Sequence, residues 1–289
     1  MTKPKILLQF DPDPQASVFD AVVAVDSGVE QLLQYPGVQL EQVRDLVHGA
    51  MFTRGPQDLH NTAIFIGGTN VAAGEELLHK VTKCFFGPLR VSVMLDANGA
   101  NTTAAAAVLA AGKHLPLAGA TVVVLAGTGP VGQRVARLAA RQGAVVRVAS
   151  RQLERAVQTA ERIQTQVAGS QVSGHGTAGE GALDSLLAGA QVVIAAGAAG
   201  IELLPADVRM RAKDLQVAVD LNAVPPAGIA GIDVMDKAAD LDGVIGYGAI
   251  GVGGTKMKIH RAAVARLFTS NHLVLDAEEI FEIGQQLGL

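Results

Sequence analysis

The chain has 289 residues, 49% of them hydrophobic and only 17% charged, with 33 glycines, one cysteine and no tryptophan. So apolar and charge-poor a composition excludes intrinsic disorder, and a net charge of −4 excludes a protein whose main work is gripping nucleic-acid phosphates. The lone Cys84 excludes an internal disulfide framework and a cysteine-based metal site, and no run of about 18 residues is free of charges and turn residues, so no membrane span is expected.

Strand and helix signals then alternate. Residues 5–10 predict a first strand rather than a signal peptide, so a cytoplasmic protein is expected. Ser17 caps a helix over 18–25 that stops near Gly28. A short strand follows near 30–34, then a helix over 39–47 with Leu40, Val43, Leu46 and Val47 at helical spacing. Strands are predicted at 62–66 and 91–95 around a helix at 70–85 that carries Cys84. A polar turn, Asp96 to Thr103, leads into an Ala-rich helix at 104–111. Strands at 121–125, 145–149, 192–196 and 217–221 then alternate with helices at 131–142, 153–167, 183–188 and 205–212. The Gly/Ser/Thr-rich segment 169–181 predicts a short strand and a loop. A short strand near 244–245, a long helix over 255–268 and a last helix over 277–287 complete the order. The fold expected is α/β: a Rossmann NADP-binding domain over 104–269 and a smaller parallel α/β substrate domain over 1–103 plus 270–289, with the active cleft between them.

The strongest motif is Gly127-Thr128-Gly129-Pro130-Val131-Gly132, directly after a strand and directly before a helix. Gly127 permits the tight turn, Gly129 a close approach of backbone to pyrophosphate, and Gly132 close helix–strand packing. The helix N-terminus offers N–H groups and positive partial charge to the phosphates, and Pro130 suits a position whose N–H is unused. The next strand ends at Ser150-Arg151, where an NAD-binding protein carries a carboxylate for the ribose 2′-hydroxyl. A guanidinium there suits the 2′-phosphate of NADP, so NADP is the expected cofactor, held by Ser150 and Arg151 with Arg155 one turn on. Ala196, Gly197 and Asn222, at two later strand ends, are expected to complete the cofactor site.

Further blocks recur alongside this motif. They are Val18-Phe19-Asp20; Thr53-Arg54-Gly55; Met94-Leu95-Asp96 with Asn98-Gly99 and Asn101-Thr102-Thr103; Asn222-Ala223 with Pro225-Pro226; Gly231-Ile232-Asp233; Gly253-Gly254 with Lys256, Lys258, His260 and Arg261; and Asp276-Ala277-Glu278-Glu279. With them the chain resembles, over nearly its whole length, the NADP-dependent methylene-tetrahydromethanopterin and methylene-tetrahydrofolate dehydrogenases of bacterial one-carbon metabolism. The resemblance implies hydride transfer from the methylene bridge of a reduced pterin to NADP+. It also implies a homo-oligomer, with a trimer as the candidate size. Gln152 stands where close relatives carry a second basic residue, which bears on the strictness of NADP over NAD.

Loss of a hydride from the methylene carbon leaves a cation spread over N–C–N and releases no proton. The step therefore needs orientation and a negative potential rather than a base. The resemblance places Asp20 and Phe19 at the substrate. Lys256 reads as lying at a helix start, where a cation opposes the macrodipole; it would bind the pterin carbonyl or orient Asp20. His260, four residues on, shares its helix face, and Asn98 and Thr102 are hydrogen-bonding candidates. No His/Cys/Asp/Glu set has metal-ligand spacing, so no metal is expected. Two alternatives remain at this point: another two-domain NADP dehydrogenase of shikimate or quinate type, which needs an acid/base partner for its hydroxyl, and a non-catalytic NADP-sensing protein.

Overall fold

A computed structural model describes residues 3–289. The chain forms two compact units, residues 1–102 with 257–287, and residues 103–256 with 288–289. It leaves the first unit inside one long helix and re-enters it inside another, at Met257, whereas the sequence placed the return at residue 270.

The first unit is a five-stranded, all-parallel sheet. Its strands are β1 (Ile6–Phe10), β2 (Gln31–Tyr35), β3 (Thr62–Ile66), β4 (Ser92–Leu95) and β12 (Val274–Leu275), in the spatial order β12-β4-β3-β1-β2. β3 and β4 are buried at every residue, as central parallel strands must be, and each is a short uninterrupted apolar run. Helices α1 (Val18–Asp26), α2 (Val43–Phe52), α3 (Val71–Lys83) and α10 (Ala277–Gln286) belong to this unit. Their starts are written in the sequence. Ser17 Oγ accepts from the Asp20 N–H at 3.2 Å, and Asn70 Oδ1 from the Ala73 N–H at 3.2 Å. Asp276 and Glu279 form a capping box that starts α10.

The second unit is a seven-stranded sheet in the order β10-β11-β9-β8-β5-β6-β7. Its strands are β5 (Thr121–Leu125), β6 (Val145–Ser150), β7 (Gln171–Gly176), β8 (Val192–Ala195), β9 (Val217–Asp220), β10 (Lys237–Leu241) and β11 (Val244–Tyr247). All pairings are parallel except the β10–β11 hairpin. Helices α5 (Pro130–Arg141), α6 (Leu153–Gln166), α7 (Ala182–Leu187) and α8 (Ala206–Arg211) connect the strands. α4 (Ala100–Gly112) and α9 (Ala249–Arg266) carry the two crossings between units. Val123, Val193, Ala195 and Ala218 of the central strands share one core with Leu204, Ile229 and Ile232.

Several boundaries depart from expectation. α2 begins at Val43 rather than 39, and α4 begins at Ala100 rather than 104 because Asp96 caps it from outside the helix. α9 begins at Ala249, well before residue 255. Gly248 and Gly251 press so closely on the 233–236 turn that a Cβ has no room, and this packing carries the helix through a run of poor helix formers. Cys84 is the C-cap of α3 and half-buried. Among the described residues no helix is long and apolar enough to cross a membrane.

Candidate functional site

Each sheet reverses strand order beside its earliest strand, the first between β1 and β3 and the second between β5 and β8. In open α/β sheets the crevice outside the carboxyl ends of the strands at such a point receives ligands. Some of the sequence-predicted residues lie at these two places and others do not.

In the second unit a cavity of about 690 Å³ opens beyond the ends of β5, β6 and β8. Thr128, Ser150, Arg151, Arg155 and Gly197 line it, together with Gln152, Thr177 and Glu202. Two glycines of the turn are demanded by close packing, and its left-handed residue is Ala126, φ 54°. A Cβ on Gly127 would stand 2.9 Å from Val124 O and from Val148 Cγ1, and one on Gly132 would stand 2.7 Å from Gly127 Cα. A Cβ on Gly129 meets nothing nearer than 3.6 Å, so this glycine is not demanded by the protein's own packing. Gly129 is the N-cap of α5 and makes no side-chain cap bond, and Pro130 opens the helix. Val131 follows in the first turn, half-buried. The residues present therefore fit a dinucleotide.

The end of β6 is basic. Ser150 Oγ accepts from the Gln152 N–H at 3.2 Å. Arg151 and Arg155 are exposed at the start of α6, and neither makes an ion pair among the described residues. Two unneutralised cations one turn apart at a helix N-terminus are locally unfavourable, and an anion would relieve that.

Two expected cofactor contacts sit behind the cavity. Asn222 is buried, and its side chain ties loops together: Oδ1 accepts from Val224 N at 3.0 Å and Gly200 N at 3.4 Å, while Nδ2 donates to Pro226 O at 3.0 Å. It braces the 197–200 loop and is not a lining residue. Ala196 contributes backbone beside the glycine turn, its carbonyl 3.9 Å from the Gly129 Cβ position. Asp220, which sequence reasoning did not single out, is buried and accepts from Asn222 N and Ile229 N at 3.0 Å each. Burial pushes its carboxyl above the ordinary range, and the hydrogen bonds it accepts oppose that shift.

In the first unit Asp11 ends β1, Gly67 and Gly68 end β3, and Asp96 ends β4. Asp20, half-buried on α1, reaches the same point: a Cβ on Gly67 would stand 3.3 Å from Asp20 Oδ2 and 3.5 Å from Asp11 Oδ2. Asp11 accepts from Asp13 N at 3.0 Å and Ser17 N at 3.1 Å, and its burial raises its carboxyl above the usual value. Two carboxylates thus face the switch point of this sheet. Asn98 lies in the left-handed region, φ 53°, which Asn tolerates better than most residues, with an exposed side chain and its N–H donating to Gly68 O at 2.6 Å.

Thr102 and His260 do not face a ligand. Thr102 is fully buried, and its hydroxyl donates to Asp96 Oδ2 at 2.6 Å. The other Asp96 oxygen accepts from the Asn101 and Thr102 N–H groups at 3.0 Å each, so this carboxylate caps α4. His260 is 1% exposed, with Nδ1 3.9 Å from Asp96 Oδ2. Its ring stacks on Phe65 at a centroid distance of 5.6 Å and lies 6.3 Å from Phe19, which is 52% exposed. Lys256 is half-buried inside α9, one turn before His260; it is not at a helix start, so no macrodipole conflict marks it. Asp96 and Phe65 were missed as individuals because a buried carboxylate and a strand phenylalanine look structural in sequence. No group of three or more His, Cys, Asp or Glu among the described residues could hold a metal.

Comparison with known proteins identifies the family. Residues 18–98, which include Phe19, Asp20 and Asn98, match the family described as methylene-tetrahydromethanopterin dehydrogenase, N-terminal. The chain is 43% identical over 287 residues to the bifunctional protein MdtA of Methylorubrum extorquens, covering 98% of this chain and 99% of that one. It is 33% identical over 292 residues to the NAD(P)-dependent methylenetetrahydromethanopterin dehydrogenase of the same organism, covering 98% of each. Among solved structures it resembles a shikimate 5-dehydrogenase from Listeria monocytogenes, with a TM-score of 0.58, 15% identity and coverage of 97% and 96%. A quinate dehydrogenase from Corynebacterium glutamicum gives 0.55 and 18%, with coverage of 99% and 100%. At these identities the structural likeness establishes the fold alone.

Proposed function

The chain belongs to the methylene-tetrahydromethanopterin dehydrogenase family, and from that premise we propose that it oxidises 5,10-methylene-tetrahydromethanopterin to the methenyl form with NADP+ as acceptor. The observation that carries the cofactor choice is the cavity whose β6 rim presents Ser150, Arg151 and Arg155 where an NAD-selective site presents a carboxylate. NADP+, when bound, supplies the hydride acceptor.

The chain's own residues bind, orient and set the potential. Thr128, Gly129 and Val131 would hold the pyrophosphate at the start of α5, and Ser150, Arg151 and Arg155 the 2′-phosphate. Phe19 and Asn98 are exposed at the first unit's strand ends, where a flat, amide-bearing pterin can stack and hydrogen-bond. One C–H bond breaks with both electrons leaving on hydrogen, and no proton is released. Asp20 therefore acts as a fixed negative charge beside the developing N–C–N cation, not as a base. Lys256 would bind the pterin carbonyl or orient Asp20. The substrate partner is the reduced pterin, and a homo-oligomer is the assembly we expect.

A four-way kinetic comparison tests this: methylene-tetrahydromethanopterin and methylene-tetrahydrofolate, each with NADP+ and NAD+. Turnover is expected with methylene-tetrahydromethanopterin and NADP+, and the folate arm reads whether that pterin is also accepted. No reduction of either nucleotide by either pterin would refute the assignment. Turnover of a hydroxy acid such as shikimate instead would move the chain to the alternative its fold permits.

A further inference from the structure

We propose that His260 is a positioning residue: it holds the Phe19 ring in place for the pterin and never touches substrate itself. The proposal rests on the reduced-pterin reading above and deepens it. Its observation is a chain of contacts running from the core of the first unit to its surface. Phe65 lies in β3, buried on both faces of the sheet. His260 stacks on it with 19° between ring planes. Phe19 packs on His260 in turn, tilted by 39°, yet leaves half its own surface to solvent.

The polar edge of the imidazole faces a carboxylate beyond hydrogen-bond reach, so the ring stack is what holds it. Asp96 Oδ2 stands 3.9 Å from Nδ1, and Asp96 is itself immobilised by three hydrogen bonds from Asn101 and Thr102 at the start of α4. An imidazole suits this place because it is flat enough to pack between two rings while offering a polar edge to a carboxylate. A leucine would supply neither. At 1% exposure His260 offers a substrate no surface, whereas Phe19, beside Asp20 in α1, is 52% exposed. An exposed aromatic held by a buried stack is pre-ordered, so a pterin that stacks on it does not have to order it first.

The test is a double-mutant cycle. His260→Ala should raise KM for the methylene pterin about two- to tenfold, the range of one aromatic pair. It should leave KM for NADP+ within about twofold. His260→Phe, which keeps a ring in the stack, should recover most of the pterin KM. In a Phe19→Ala background His260→Ala should have no further effect on that KM. Additive effects, equal rises in both KM values, or a phenylalanine variant as impaired as the alanine one would overturn the proposal. NMR of selectively labelled Phe19 reads the ring without turnover: its ring-current shift should collapse in His260→Ala and persist in His260→Phe. An unmoved shift in His260→Ala also overturns the proposal. If the wild-type chain failed to turn over a methylene pterin, the functional reading would fall while the ring shift still decided the role of His260. Should His260→Ala fail to fold, the same cycle and shift in His260→Asn, which keeps a polar edge but no ring, carry the test.

Discussion

Arg151→Ala, alone and with Arg155→Ala, interrogates the cofactor site most directly. A hydrogen bond to a charged group contributes about 1.5–3 kcal/mol. Both guanidiniums are exposed, so screening by solvent favours the lower end of that range. About 1.5 kcal/mol corresponds to roughly tenfold, and the double variant should lose about tenfold to a hundredfold in kcat/KM for NADP+. Neither arginine makes an ion pair among the described residues, so truncation strands no carboxylate and Tm should not fall. With NAD+, which has no 2′-phosphate, kcat/KM should stay within about twofold, so the whole effect appears in the NADP+/NAD+ ratio. Steady-state rates of nucleotide reduction at saturating pterin measure it. A ratio unchanged by the double variant would refute the claim that the β6 rim reads the 2′-phosphate. An equal loss with both nucleotides would place these arginines at a shared part of the cofactor instead.

Four further outcomes are expected. Gly132→Ala puts a methyl 2.7 Å from Gly127 Cα and 2.8 Å from Ala126 O, both backbone; it should cost about 1–3 kcal/mol in thermal unfolding and raise KM for NADP+, and an unmoved Tm counts against the packing role. Asp276→Ala removes the capping box of α10 and the acceptor that Asn101 Nδ2 reaches at 2.8 Å; chemical denaturation should show a loss of about 1–2 kcal/mol with KM for NADP+ unchanged, and a loss of nucleotide affinity would contradict it. Asp20→Asn keeps the shape and removes the charge, so kcat should fall by about 10²-fold, the scale of one electrostatic contact to a transition state; a kcat within twofold of wild type removes Asp20 from the mechanism. Asp220 has its folded carboxyl raised above 3.8, so its share of stability is fully present below the unfolded value and lost as pH rises through the folded one. Asp220→Asn does not titrate, so its stability deficit should shrink as pH rises above the ordinary carboxyl range, and a deficit constant with pH would contradict the shift.

The fold was legible where local and tertiary preferences agree. β3 and β5 fall on the residues their β-rich runs predict, and α1 and α3 start at the caps Ser17 and Asn70 supply. Legibility failed where a tertiary contact overrides propensity. The glycine-rich start of α9 looks like a loop until the 233–236 turn is seen packed against Gly248 and Gly251. β10 was missed because an exposed edge strand carrying Lys237 and Asp240 shows no apolar run. The Asp242-Gly243 turn, with φ of 56° and 89°, was the available signal, since this pair favours the hairpin geometry.

The two surfaces differ in how far sequence could reach them, and the cause is the source of their geometry. The nucleotide site is built by backbone: three glycines whose roles follow from a spacing, and a strand end whose side-chain charge can be read directly. The proposed pterin surface draws on side chains from α1, β3, the turn after β4 and α9, which share no spacing. Residue type made Asp20, Asn98, Thr102, Lys256 and His260 equal candidates, and burial then separates them. Asp20 and Asn98 keep surface at the strand ends, whereas Thr102 caps a helix through Asp96 and His260 sits behind Phe19. On the proposal above, a polar residue such as His260 owes its place to holding another residue still. For hydride transfer, which demands orientation and releases no proton, that holding is the larger part of what a protein can contribute.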